Sequence, residues 1–212
     1  MKEIFVTTTL SLMMFASMAQ SEKYAPAMKK NLSTMDTAKG MEINTMLANS
    51  FERIGEAEKT QWLPFYYASL NTVINAFSEK DKSKVDAIAD KADELIEKAA
   101  ALSANNSEIF VVKSMIASAR MMVDPQSRWM QYGPVSSENI SLAKQADPTN
   151  PRPVYLEGQA KFYTPEAMGG GKESAKPYLE SALKMYDTFK PISDIDPNWG
   201  KQQVTQFLAG YN

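Results

Sequence analysis

The sequence predicts an all-α solenoid, built from about four helical hairpins and closed by a C-terminal capping helix. Two observations predict it. Apolar residues recur at intervals of three and four along most of the 212-residue chain, whereas the alternating apolar-polar pattern of strands is scarce. One pattern of small residues also occurs in four of the predicted helices at nearly regular spacing, which is typical of helical-repeat proteins.

The N-terminus has the features of an export signal. Lys2 precedes an uncharged, largely apolar run over residues 4–16, and Ser17-Met18-Ala19 forms the small-x-small pattern of a signal peptidase site. We therefore predict a cleaved signal peptide over residues 1–19 and a mature domain over 20–212. A buried first helix or a membrane anchor is the alternative, but the run is shorter than the ~20 residues that span a bilayer. No span is predicted in the mature chain, which is expected to be soluble and periplasmic.

The periodicity then predicts nine helices, separated by turn-forming residues. They cover residues 23–36, 41–57, 61–77, 82–103, 107–122, 135–146, 151–162, 172–188 and 198–209. The first two helices are predicted from their apolar stripes. Pro64 is compatible with the first turn of the third helix, and the fourth has the clearest stripe opposite a charged, solvated face. Asp147–Asn150 separates the sixth and seventh helices, three glycines precede the eighth, and Asp196-Pro197-Asn198 introduces the last.

The repeated pattern is a small residue, three others, an aliphatic residue, two others and then Ala. Its four copies are Ser50-Ile54-Ala57, Ala92-Ile96-Ala99, Ser136-Ile140-Ala143 and Ala175-Leu179-Ala182. The closing alanines are 42, 44 and 39 residues apart. Small residues allow the second helix of a pair to approach the first closely, while the aliphatic residue fills the space between them.

These copies resemble the second helix of the tetratricopeptide repeat, A-x3-F-x2-A-x4-P, and the junction from Ala143 to Pro151 resembles that family's A-x-x-x-D-P-x-N-P. The resemblance covers nearly all of 20–212. It implies a right-handed superhelix whose first helices line a concave surface that holds peptides or partner helices. The repeats exceed the usual ~34 residues, and most aromatic positions of the first helix are absent, so a non-repetitive helical bundle is the alternative.

A looser resemblance links the chain to small exported tetratricopeptide-like proteins of Bacteroidota. It depends on the segments Tyr163–Lys172 and Pro197–Gly200. This resemblance implies neither an enzymatic activity nor a defined ligand.

The turns inside the pairs carry the candidate binding residues. In a solenoid these turns project from one edge, so the long segments Val123–Pro134 and Tyr163–Gly171 should be neighbours. Exposed aromatic residues beside Arg are typical of binding hot spots. The candidates are Arg128, Trp129, Tyr132, Tyr163 and Lys172 at this edge, with Tyr66 at the start of a helix that lines the concave face. Alternatively, the aromatic residues belong to the core, where Trp and Tyr are usually found.

Composition and motifs argue against catalysis and cofactors. The chain has no His and no Cys, which excludes imidazole bases, thiol nucleophiles and disulfides. Gly169–Lys172 lacks the first Gly and the Ser or Thr of a P-loop, and Asp194–Asn198 does not continue as a calcium loop. Glu157 and Glu166 flank an aromatic loop, but nothing else pairs them for glycoside hydrolysis. A net charge of −2 disfavours a nucleic-acid surface. We predict no enzyme, no cofactor and no metal.

Two functions fit these observations. The first is a non-enzymatic periplasmic or secreted scaffold that binds a protein or peptide, with Arg128 pairing with a carboxylate and Trp129 and Tyr132 burying apolar area. The second is a carrier of a small apolar ligand, held in a helical groove by Met and aromatic side chains. The concave face and the edge of the intra-pair turns are both candidate binding surfaces.

Overall fold

Residues 21–211 are described by a computed structural model, and these residues are helical without any strand. The α-helices are α1 Tyr24–Thr37, α2 Met41–Glu58, α3 Trp62–Ser78, α4 Lys82–Leu102, α5 Ser107–Met121, α6 Pro125–Ala146, α7 Pro151–Tyr163, α8 Lys172–Thr188 and α9 Lys201–Ala209. A 3₁₀ turn, Glu166–Met168, lies between α7 and α8. The predicted all-α class is confirmed. The predicted signal peptide over 1–19 lies outside the described residues.

The helices pack as hairpins in two layers. The pairs α3–α4, α5–α6 and α7–α8 each form an extensive contact, α1 packs on α2, and α2 also packs on α3. The first helices of successive pairs form a continuous layer, because α3 contacts α5 and α5 contacts α7. The last helix, α9, packs on α8 and covers the open end of the stack, as a terminal cap must. The predicted hairpin solenoid is therefore confirmed.

The small-residue pattern marks the core in three of its four copies. Ala92, Ile96 and Ala99 of α4 are fully buried, and the matching residues of α6 and α8 are buried too. Close approach of the paired helices explains why these positions are small. The second, third and fourth copies therefore have the predicted register.

The first copy has the wrong register. Ala57 is exposed, and the buried residues of α2 include Leu47, Phe51 and Gly55. A methyl group on Gly55 would lie 2.7 Å from the ring of Phe65 on α3. The ring of Phe65 thus occupies the space between α2 and α3, which small residues leave free in the other pairs. Glycine is therefore required at position 55 of α2.

The helix predicted over 135–146 begins ten residues earlier, at Pro125. Asp124 caps α6 by accepting a hydrogen bond from the backbone amide of Ser127, and Pro125 occupies the first turn, where its missing N–H costs nothing. Pro134 lies within the helix and is exposed. Residues 125–134 are therefore the first part of α6, and not the loop that the two prolines suggested.

The segment between α8 and α9 returns across the starts of the inner helices. The hydroxyl of Tyr67 on α3 donates to the carbonyl oxygen of Ile195 at 2.9 Å, and Lys29 on α1 forms an ion pair with Asp194 at 2.8 Å. This segment also explains why α9 begins at Lys201 rather than at 198. It connects the first and last parts of the chain.

A buried ion pair lies beneath this segment. Arg152, at the start of α7 and 1% exposed, donates from Nε to both carboxylate oxygens of Glu108 at 2.7 and 2.9 Å. Asn150 donates to the same carboxylate at 2.6 Å, and the guanidinium lies 4.7 Å from the ring centroid of Phe189. These bonds compensate the desolvation of both charges and align α5 with α7.

No helix among residues 21–211 combines the length and the apolar character that crossing a membrane requires.

Candidate ligand groove

The inner layer of helices encloses a concave groove with a volume of about 2200 Å³. Side chains from α1, α3, α5, α6, α7 and the start of α9 form its walls. Its larger apolar side chains are Met35, Leu70, Ile74, Phe77, Met115, Met121, Met122, Trp129, Ile140, Tyr155, Leu156, Tyr163, Met168, Tyr178 and Trp199. Small-molecule sites usually measure about 300–1,000 Å³, so this groove has room for a large ligand.

Five apolar side chains of the groove are exposed, and we call them the apolar edge. They are Phe77, Met122, Trp129, Tyr163 and Met168, with exposed fractions between 36% and 68%. Four of them lie near the C-terminal end of an inner helix or in the segment that follows it, and Trp129 lies in the first turns of α6. Exposed apolar side chains concentrated in a concavity are typical of ligand sites.

The fold brings this edge together because the inner helices run in the same direction. Their C-terminal ends therefore lie on one side of the stack, and so do the segments that follow them. Both long intra-pair segments contribute to the groove, with Pro125, Trp129 and Gly133 from the first and Thr164, Pro165 and Met168 from the second. The first of these segments is helical, and the expectation that the two are neighbours stays a prediction.

The ring of Tyr163 is fixed from behind by other aromatic residues. Its centroid lies 5.3 Å from that of Phe162 and 6.1 Å from that of Phe207 on α9, both with edge-to-face geometry. The opposite side of the ring remains open, because Tyr163 is 68% exposed. An aromatic ring held in this way offers a flat surface to a ligand at little cost in side-chain entropy.

Two of the six predicted site residues, Trp129 and Tyr163, line the groove. Tyr132 is half-buried on a separate shallow depression formed by α4, α5 and α6. Lys172 donates to the carbonyl oxygen of Gly210 at 3.4 Å, so it contacts the C-terminal end of the described chain. These two side chains do not reach the groove.

Arg128 is occupied by a contact within the protein. Its two terminal nitrogens donate to the two carboxylate oxygens of Asp86 on α4, at 2.7 and 2.9 Å. One nitrogen also donates to the carbonyl oxygen of Arg120 at 3.2 Å. The hydrogen bonds from Arg128 lower the pKa of Asp86. The guanidinium therefore joins α6 to α4, on the side away from the groove.

Tyr66 belongs to the core. Its side chain is fully buried, its hydroxyl donates to Glu108 at 2.9 Å, and it accepts from the indole N–H of Trp199 at 2.7 Å. Burial and the nearby Glu108 carboxylate raise the pKa of Tyr66. The phenol thus extends the network around the Arg152–Glu108 ion pair, and it is not among the side chains that line the groove.

The methionines of the groove were not among the predicted site residues. Met35, Met115, Met121, Met122 and Met168 all line it. The sequence features that could have indicated these residues are the adjacent pair Met121-Met122 and the 14 Met of the chain. Thioether side chains adapt their shape to a ligand and make favourable contacts with aromatic rings.

The groove is positively charged in a chain that is negative as a whole. Lys39, Lys144, Lys161 and Lys201 line it together with Asp36 and Glu157, which gives 4 − 2 = +2 for these side chains. The complete sequence carries −2. Two of the lysines are paired, Lys144 with Glu157 at 2.6 Å and Lys201 with Asp187 at 2.8 Å.

The described part of the groove offers contacts suited to binding. Residues 21–211 hold no group of three or more His, Cys, Asp or Glu side chains that could bind a metal ion. The sequence supplies neither imidazole nor thiolate. What the groove offers is apolar area, flat aromatic rings and ammonium groups.

Comparisons with known proteins gave one informative result. No protein-family model and no curated protein matches the chain. Among solved structures, the HusA haemophore from Porphyromonas gingivalis is similar, with 36% sequence identity and a TM-score of 0.81. The similarity covers 90% of this chain and 93% of that protein.

Proposed function

We propose that this chain, which belongs to the family of the HusA haemophore of Porphyromonas gingivalis, is a non-enzymatic carrier that binds a porphyrin such as haem in its groove. The observation that carries this proposal is the apolar edge, five exposed side chains around one concavity in a chain that is 36% identical to a haemophore. A carrier of an apolar ligand is the second of the two functions that the sequence suggests.

The groove has the properties that a porphyrin requires. A porphyrin is a large, flat and apolar ring system, so it needs flat aromatic surfaces and adaptable apolar contacts. Trp129 and Tyr163 provide flat aromatic surfaces, and Met122 and Met168 provide adaptable apolar contacts. Covering an exposed side chain of this size contributes about 1.5–3 kcal/mol when burial is complete, so contact with several of them supports useful affinity.

The absence of His and Cys limits how the iron of haem could be bound. The side chains that could approach the metal in the groove are the thioether of Met, the phenol of Tyr, the amine of Lys and the carboxylates of Asp36 and Glu157. Among residues 21–211, no group of three or more His, Cys, Asp or Glu side chains could bind a metal ion. We therefore expect the macrocycle, and not the iron, to supply most of the binding energy.

A titration of the purified protein with haem and with iron-free protoporphyrin IX tests this proposal. We expect both to bind saturably with similar affinity. The double variant Trp129→Ala/Tyr163→Ala should weaken both by at least about tenfold, because two large contact surfaces are lost. Ile192→Ala, which removes a 98% exposed side chain outside the groove, is the matched control and should change neither. Absence of saturable binding, or equal losses in both variants, would contradict the proposal.

A protein or peptide partner is less well supported. The residue expected to pair with such a partner, Arg128, is engaged by Asp86, and Tyr132 lies outside the groove. Trp129 and Tyr163 do line the groove, but they serve an apolar small molecule equally well.

We further propose that the protein acts outside the cytoplasm. The support is the signal-peptide pattern over 1–19, together with the haemophore among its relatives. A carrier that collects porphyrin from the surroundings of a cell has to be exported to meet it.

A further inference from the structure

The distribution of charge in the groove has a consequence for the kind of porphyrin that it accepts. Glu157 and Lys161 lie one turn apart on α7, a spacing that allows a carboxylate and an ammonium group to pair. Glu157 instead accepts from Lys144 of α6 at 2.6 Å, and no ion pair of Lys161 occurs among residues 21–211. One positive charge of this cluster is left without a compensating anion.

The position of Lys161 makes this charge significant. Lys161 lines the same groove as the five side chains of the apolar edge. Its side chain is half-buried, whereas most unpaired lysines of the described chain are exposed. A partly desolvated ammonium group is stabilised when an anion approaches it, because Coulomb attraction is screened less there than in open water.

The backbone fixes this position firmly. The carbonyl oxygen of Lys161 accepts hydrogen bonds from the amides of Thr164 at 3.2 Å and Gly171 at 3.0 Å. These bonds join the end of α7 to the segment that carries Met168. The backbone of Lys161 is therefore held together with the segment between α7 and α8.

We infer that Lys161 binds a carboxylate of the ligand, and that the groove selects acidic amphiphiles over neutral ones. The inference depends on the proposed function, because it assigns a role to one residue of the same groove. Natural porphyrins carry carboxylates at one side of an apolar ring system, and they match an ammonium group beside aromatic side chains. Lys144 acts indirectly by occupying Glu157, which would otherwise neutralise Lys161.

The test compares protoporphyrin IX with its dimethyl ester, which has the same ring but no ionisable carboxylate. The wild-type protein should bind the diacid more tightly than the ester. Added salt should weaken binding of the diacid but not binding of the ester. Lys161→Met keeps the aliphatic stem and removes the charge. It should weaken binding of the diacid about tenfold and leave the ester unchanged, as expected for the loss of a charge-assisted hydrogen bond.

Two variants serve as controls. Lys161→Arg keeps the charge and should retain preference for the diacid, whereas Lys184→Met removes an exposed ammonium group of α8 outside the groove and should change nothing. The role of Lys161 would be overturned if the wild type bound acid and ester with equal affinity, or if Lys161→Met lost affinity for both equally. Either result would leave porphyrin binding intact. If neither the diacid nor the ester binds, the proposed function is instead overturned.

Discussion

At the residue scale, Arg128 and Asp86 form a two-point contact between α6 and α4. Because Arg128 holds the pKa of Asp86 below its usual range, the pair stabilises the fold above the ordinary pKa of Asp. That stabilisation is lost as the pH falls through the lowered pKa. The side chain of Asp86 is 42% exposed, so solvent screening limits the contribution of the pair.

Replacing Arg128 should therefore affect stability and not binding. We expect Arg128→Met to lower the free energy of unfolding only slightly at neutral pH, because solvent screens the ion pair. The difference from the wild type should shrink as the pH falls through the lowered pKa of Asp86, because the protonated carboxyl group no longer pairs with Arg128. Urea unfolding at several pH values measures this. The affinity for haem should be that of the wild type, and a marked loss would return Arg128 to the binding site.

At the element scale, two glycines of the helices have opposite roles. A methyl group on Gly55 of α2 would lie 2.7–2.9 Å from three ring atoms of Phe65, so it cannot be added without moving α2 or α3. A methyl group on Gly133 of α6 would meet only the sulfur of Met121, at an ordinary 3.9 Å. Close packing requires the first glycine, whereas nothing in the packing requires the second.

Substituting each glycine by alanine tests this difference. Gly55→Ala should destabilise the protein by about 1–3 kcal/mol, because overpacking forces neighbouring side chains out of place. Gly133→Ala should stabilise it by up to about 1 kcal/mol, because alanine is the better residue within a helix. Thermal and urea unfolding give both values. Similar changes in the two variants would show that α2 and α3 adapt to the added methyl group.

The helices themselves could be predicted because their apolar stripes are local features. Most observed ends lie within one or two residues of the prediction, and the exceptions have physical causes. Asp124-Pro125 is a helix cap followed by a proline suited to the first turn, but Pro134 nearby suggested a loop. In α2 the packing of Phe65 against Gly55 displaced the expected register, and no pattern within α2 alone reveals this.

At the scale of the whole molecule, the candidate site could be predicted only in part. Trp129 and Tyr163 follow from the solenoid, since its geometry brings the long intra-pair segments to one edge. The rotation of α3, which buries Tyr66, is set partly by Trp199, 133 residues away in sequence. The unpaired state of Lys161 depends likewise on where Lys144 lies in three dimensions. Such tertiary relations have no local signal.

At this scale, inner helices of shared direction expose apolar side chains around one groove, where we propose that a porphyrin binds. A crystal structure of the protein with bound haem tests this most directly. We predict the ring in van der Waals contact with Trp129 and Tyr163, and a carboxylate within about 4 Å of the Lys161 ammonium group. A porphyrin bound outside the groove, or a groove that stays empty at saturating haem, would contradict the account.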